Sequence, residues 1–221
     1  MVKGKSAEWE AFCGLCFLAD YEFSIFSSEK EMLLKKIIVT LLAGCCMQVS
    51  YAKVVDGVNY EDRLSLKSEQ LVLNGAGLRK ILFVKVYSAG LYLPQATQSQ
   101  DDVQKQNGSK RVRLVLRRDV DANDFVDALN DGLKENSTQE QRQAIAKDIE
   151  KLIAVMKQIG DVHENDCVDF DFVTNKGVSV QVNGKVIGES IGSQALYDAV
   201  LRIWLGDKAI DSGLKKALLN L

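Results

Sequence analysis

Between Leu71 and Leu93 the chain reads LVLNGAGLRKILFVKVYSAGLYL, a long apolar stretch that sets one arginine, Arg79, between two β-like runs. Leu71, Val72 and Leu73 precede Asn74-Gly75-Ala76-Gly77, which reads as a tight break, and Ile81 to Val86 then continues through Tyr87 to Leu93. Runs this rich in β-branched and aromatic residues are strands buried on at least one face. A guanidinium keeps its charge under any physiological condition. Arg79 must therefore reach water, pair with an acid of the protein such as Asp56 or Glu69, or meet an anion from outside.

The rest of the chain supplies the partners of this hairpin. Val54–Tyr60 and Leu64–Leu66 read as short strands, and Glu69–Leu73 with Ile81–Leu93 as a hairpin turning at Gly75 and Gly77. The polar stretch Gln95–Lys110 reads as a loop or a frayed short helix. Arg111–Arg118, RVRLVLRR, alternates basic and apolar residues, the pattern of a strand with one wet face. Asp121 opens a helix whose buried face carries Phe125, Leu129 and Leu133. Ser137-Thr138-Gln139-Glu140 has the form of a capping box, with Ser137 as the cap. The helix behind it buries Ile145, Ile149, Leu152, Ile153 and Met156 and stops at Gly160. Cys167–Thr174 alternates as a strand with Val168, Phe170 and Phe172 on one side, followed by Val178–Val182. Asn183-Gly184 is a two-residue hairpin signal leading into Lys185–Ile187. Helices from Ser193 to Gly206 and from Ser212 to Leu219 close the chain. Hairpin-linked strands with helices between them predict an α+β fold: a curved antiparallel sheet with helices packed on one face.

The N-terminal segment reads differently. From Met32, Lys35 and Lys36 lead an apolar run over residues 37–49 that ends at Ser50-Tyr51-Ala52. This is the form of a secretory signal cleaved after Ala52. Leu42-Ala43-Gly44-Cys45 also resembles a lipoprotein box, in which Cys45 would carry a lipid anchor. Residues 1–31 then read as an extension ahead of the true start, 32–52 as a signal peptide, and 53–221 as a single exported, periplasmic domain. Cys13-Gly14-Leu15-Cys16 lacks a second ligand pair and is assigned no role. Removing residues 1–52 leaves 23 basic and 24 acidic residues and one cysteine, Cys167. That balance argues against nucleic acid as the main partner, and a lone cysteine excludes a disulfide scaffold. Cys167, in a strand, reads as a buried small apolar residue. His163 is the only histidine and lies in the polar loop GDVHEND, so it reads as solvated. No metal or other cofactor is implied.

Several short motifs, in this order and spacing, resemble the chalcone isomerase superfamily. Its first long hairpin carries GAGxR followed by K-[FV]-x-x-x-G-[VL]-Y-L, matched here by Gly75, Ala76, Gly77 and Arg79, then Lys85, Val86, Gly90, Leu91, Tyr92 and Leu93. The likeness continues through LRRDVDANDFVDALNDGL (Leu116–Leu133). The run from Val180 to Asp211 resembles bacterial members of the family. The resemblance implies an open-faced sandwich that places ligands between the sheet and its helices. In the catalytic members an arginine faces the developing oxyanion of an intramolecular ring closure. In non-enzymatic members the same arginine pairs with a fatty-acid carboxylate.

Position by position, the family arginine falls on Arg79 and the strand hydroxyl on Tyr87. The helix tyrosine falls on Phe125, the lysine on Ala128 and the asparagine on Gly132. The Ser/Thr and apolar pair near the C-terminus falls on Ile203 and Trp204. One polar group is kept, one is altered and four are gone. Since one lost oxyanion donor costs on the order of 3 kcal/mol of transition-state stabilisation, chalcone cyclisation is not expected here. The expectation is a binding module for a small amphipathic carboxylate such as a fatty acid, anchored by Arg79 with Tyr87 as second donor. Its expected apolar wall is Phe83, Val84, Val86, Phe125, Leu129 and Trp204. An isomerase or intramolecular lyase using Arg79 and Tyr87 on another enolate-forming substrate is the alternative, and a structural domain with a closed cleft is a third.

Overall fold

The computed structural model describes residues 52–221. The N-terminal extension and the leader up to Tyr51, with Cys13, Cys16 and Cys45, lie outside the described residues. A small hairpin comes first, β1 (Lys53–Val55) with β2 (Val58–Tyr60). Seven strands then form one antiparallel sheet in strict chain order: β3 (Arg63–Leu66), β4 (Glu69–Ile81), β5 (Val84–Leu93), β6 (Lys110–Leu116), β7 (Cys167–Val173), β8 (Gly177–Val182) and β9 (Lys185–Ile191). Six helices are interspersed: α1 (Gln100–Lys105), α2 (Ala122–Asn136), α3 (Gln139–Ala144), α4 (Ala146–Ile159), α5 (Gln194–Leu205) and α6 (Ser212–Leu218). The sheet is curved and the helices pack on one of its faces, the layering read from the sequence. Among the described residues no helix is long and apolar enough to cross a membrane.

Period-two alternation decides which residues face the helices. Tyr87, Ala89, Leu91 and Leu93 of β5, Val112, Leu114 and Leu116 of β6, and Val168, Phe170 and Phe172 of β7 join one core cluster with α2, α4 and α5. Helix α5 lies at its centre. Eight of its residues are buried, from Leu196 to Leu205, which is why its sequence is apolar nearly all round. Tyr197 takes its hydroxyl into this core, donating to the Phe170 carbonyl at 3.1 Å. On the opposite face Tyr60 from β2 covers Gly90 and donates to Ser88 Oγ at 2.7 Å.

Five local expectations need correction. Val54–Tyr60 is not one strand: it falls within the β1–β2 hairpin, which turns at Asp56-Gly57. The Asn74–Gly77 run is not a break: β4 passes straight through it with a bulge between Leu73 and Gly75, and the turn falls at Leu82-Phe83. The glycines are there for close approach. A Cβ on Gly75 would stand 2.2 Å from the Ala217 carbonyl oxygen, and one on Gly77 2.5 Å from the Ala217 side chain. Helix α6 thus lies directly on the bare backbone of β4, and Asn74 ties it there by donating to the Leu218 carbonyl at 2.7 Å.

The strand after α1 spans Lys110–Leu116, and its basic face is not wet. Arg111 grips Asp171 with two bonds of 2.6 and 2.7 Å, and Arg113 grips Asp169 with two of 2.8 and 2.9 Å. The alternating acids of CVDFDFV are the cross-strand partners of the alternating arginines, in register on adjacent strands. The capping box is shifted by one residue: Thr138 is the cap and Gln141 its reciprocal partner. Finally, the helical stretch that follows is two helices, parted at Ile145.

Candidate functional site

Arg79 and Tyr87 are register partners on β4 and β5, so their side chains stand together on the helix-facing surface. The guanidinium carbon lies 5.5 Å from the Tyr87 ring centroid, a cation–π contact. Trp204, on the buried side of α5, donates from Nε1 to the Tyr87 hydroxyl at 2.9 Å. That bond uses the phenol oxygen as acceptor. Its own proton finds no acceptor among the described residues. Burial pushes the Tyr87 hydroxyl above the usual tyrosine range, against the opposing pull of the Arg79 charge and the Trp204 bond. Tyr87 therefore remains a neutral donor across the physiological range.

Arg79 is half-buried, and its Nε is fully buried without a hydrogen-bond partner. Neither acid considered from the sequence reaches it. Asp56 is held by Lys85 and, at 2.9 Å, by Arg117. Glu69 accepts from the Ser109 amide at 2.8 Å and from its hydroxyl at 2.7 Å, bonds that hold its carboxyl below the usual range.

The four residues singled out in the sequence, Arg79, Tyr87, Phe125 and Trp204, line one cavity of about 50 Å³. Leu114, Leu129, Met156 and Phe170 supply more of its wall. The aromatic wall is interlocked: Phe125 meets Phe170 edge-on at 6.4 Å, and Phe170 meets Trp204 at 5.9 Å. Two expected wall residues are elsewhere. Phe83 is 98 % exposed and Val84 50 % exposed, because they belong to the turn of the β4–β5 hairpin. Val86 is buried in the core but does not line the cavity. Sequence reasoning did not assign Phe170, Leu114 and Met156 to this wall. The alternation of CVDFDFV already put Phe170 on the helix side, but nothing local tied it to Arg79.

The positions where the resemblance expects polar groups are closed by packing. Ala128 lines the cavity with a bare methyl. A Cβ on Gly132 would lie 2.8 Å from the Ile203 side chain, so α2 and α5 touch where the family asparagine would stand. Apart from Arg79 and Tyr87, no side chain lining the cavity is ionisable. The cavity thus offers two donors at one end of an apolar chamber and no group able to take up a proton at neutral pH.

Arg79 also borders an open groove of about 420 Å³, shared with Asp124, Asp127, Asp131, Glu135 and Lys208. Lys208 bridges to Glu135 at 3.0 Å. The acids recur along one face of α2 and give the solvent side of the arginine a negative field. His163 is outside all of this, exposed beside Asp119 at 3.5 Å. Cys167 is half-buried, not fully buried as expected. Burial, together with the nearby Asp169 carboxylate, pushes its thiol up to about 11, which leaves it unreactive at neutral pH.

No curated protein matches the sequence. Among solved structures the chain is similar to a fatty-acid-binding protein of Arabidopsis thaliana. The likeness has 17 % identity and a TM-score of 0.60, and covers 77 % of this chain and 96 % of that one. At that identity it speaks for the fold. The sequence itself matches the model of the family described as chalcone isomerase-like over residues 52–220. That span takes in the sheet, the six helices of the described residues, and both Arg79 and Tyr87. The chain belongs to the chalcone isomerase-like family.

Proposed function

We propose that the domain binds a small amphipathic carboxylate, with a fatty acid as the class that fits the site best. The carrying observation is an arginine with a buried, unpartnered Nε at the mouth of an apolar chamber, beside a tyrosine whose proton is unclaimed. A carboxylate supplies two acceptor oxygens for those two donors, and charge-assisted bonds of this kind strengthen in low dielectric. The similar Arabidopsis thaliana structure is that of a fatty-acid-binding protein, which supports the same ligand class here.

At about 50 Å³ the cavity lies well below the ~300 Å³ at which small-molecule pockets usually begin. It accepts the carboxylate and the first methylenes, and a longer chain requires the cavity walls to part. Native mass spectrometry of the purified protein is the test. A bound species with the mass of a fatty acid is expected, either co-purified or taken up from added palmitate. Absence of any adduct in both cases removes the proposal. The acids of the groove oppose an approaching anion. Asp127→Asn with Asp131→Asn is therefore expected to tighten palmitate binding a few-fold at low salt, by titration, with the gain shrinking at high salt.

The alternative is an isomerase in which Arg79 and Tyr87 hold a developing enolate. The same pair of donors favours it, but the cavity wall contains no general base to form the enolate. Turnover of a flavonoid-type enone that disappears in Tyr87→Phe would displace the binding reading. As to place, we propose an exported, periplasmic domain, alternatively one anchored through a lipidated Cys45. Lys35, Lys36, the apolar run and Ser50-Tyr51-Ala52 support export. N-terminal sequencing of the processed protein distinguishes a start at Lys53 from a blocked Cys45.

A further inference from the structure

The far end of the β4–β5 hairpin holds four consecutive apolar residues in solvent. Ile81 is 51 % exposed, Leu82 88 %, Phe83 98 % and Val84 50 %. Lys80 and Lys85 bracket them, and both are exposed. The turn also breaks a backbone rule. Ile81 pairs with Val84, so Leu82 and Phe83 form a two-residue loop, and Leu82 has φ +56°. Glycine or asparagine is the ordinary residue at such a position. A branched side chain is held there in the left-handed region, and its neighbour is the most exposed of the large apolar residues among those described. Neither belongs to a core cluster. Local misfits with no return in packing mark functional positions more often than structural ones.

We propose that this tip docks on an anionic lipid surface. Leu82 and Phe83 enter the acyl boundary, while Lys80 meets a headgroup phosphate and Lys85, paired with Asp56, lies at the same level. Shape favours a bilayer over a protein partner. Four side chains at a hairpin apex present on the order of 500 Å², short of the ~800 Å² per partner in a stable protein interface. A convex apex would need a matching socket in a protein, whereas a bilayer yields around it. Charge agrees. The groups around the base are the cations Lys80, Lys85 and Arg117 and the acids Asp56 and Asp211. Asp56 is shared between Lys85 and Arg117. Asp211 is engaged as the cap of α6, accepting from the Leu214 amide at 2.8 Å. Apolar residues flanked by lysines are the arrangement that seats a segment at the membrane interface.

The tip needs no ligand in the cavity, so it stands apart from the binding proposal. The two are nonetheless adjacent. Leu82 is three residues beyond Arg79, about 10 Å along the strand, so docking would bring the cavity mouth to the level of the headgroups.

The test places a reporter at the tip of the full chain. Phe83→Trp is mixed with vesicles of phosphatidylglycerol and, separately, of phosphatidylcholine. The parent spectrum, from Trp9 and Trp204, is subtracted. The expected result with phosphatidylglycerol is a blue shift of the added emission and its quenching by brominated acyl chains. Leu82→Asp in the same background is expected to weaken that response at least ~10-fold. Lys80→Glu should weaken it about fivefold or more. Because quenching is read at position 83, attachment through another part of the chain does not mimic it. Emission that no vesicle changes overturns the proposal. So does emission already blue in buffer that strengthens with protein concentration, which would assign the tip to a second copy. A response of equal size on phosphatidylcholine overturns the anionic preference, and a response that survives Leu82→Asp overturns the insertion of the apex.

Discussion

Exchange of Arg79 for methionine is expected to raise the dissociation constant for palmitate at least ~100-fold while leaving the thermal midpoint unchanged or higher. The binding half follows from charge-assisted bonding: truncating one partner of a desolvated charged pair costs about 2–5 kcal/mol. The stability half follows from what the arginine lacks. Its Nε is buried and unpartnered, and a buried donor left unmade costs about 1–3 kcal/mol. Methionine keeps length and removes that donor. A domain of this size shifts by about 2–4 °C per kcal/mol, which a melting curve resolves. Arg79→Lys keeps the charge but loses the two-pronged fork, so its affinity should fall between the two. A structural arginine would behave the other way, with a lowered midpoint and undisturbed affinity. That pattern would remove Arg79 from the binding account.

Adding a side chain at Gly75 is expected to be the most damaging small change in the sheet. The atoms in the way are main-chain carbonyls of α6, at 2.2 Å for Ala217 and 2.6 Å for Leu218. Neither can rotate aside. Gly75→Val must push the last helix off β4, breaking the Asn74 bond to Leu218 and opening the core at Leu214 and Leu218. A loss of about 3 kcal/mol or more is expected, read as a fall of roughly 10 °C in the midpoint. Gly213→Ala is the control. It is exposed in the first turn of the same helix, where the nearest atom to an added Cβ is Asp211 Oδ1 at 3.3 Å, the end of a side chain, so the midpoint should move by no more than about 2 °C. Equal behaviour of the two variants would mean that α6 is not seated against β4.

The same glycine shows where sequence reading stops. Asn-Gly-Ala-Gly has turn composition, and only its distance from α6, some 140 residues along the chain, makes it a seat for a helix. No local signal carries that. The helix from Asp121 and the Asn183-Gly184 turn were legible because each rests on a few adjacent residues. Asn183 and Gly184 both take positive φ, as the turn type demands. The capping box slipped because Ser137 and Thr138 are adjacent, and each has a suitable partner three residues on. The arginines of β6 looked solvated because their acids, Asp169 and Asp171, lie more than 50 residues away on β7. Within the site, Arg79, Tyr87, Phe125 and Trp204 were found by resemblance and do line one cavity. Their interlocking was not legible. The Trp204–Tyr87 bond spans 117 positions. Phe83 and Val84 were misplaced because a strand pattern does not reveal where its turn falls.

The contact between Gly132 and Ile203 bears on how this site could change. Installing an amide at 132 alone drives it into isoleucine, and trimming isoleucine alone leaves a hole. Each single step is a loss, and only the pair taken together reopens a polar corner. A polar group at this helix crossing is therefore reached only by a paired substitution, since either change alone costs stability.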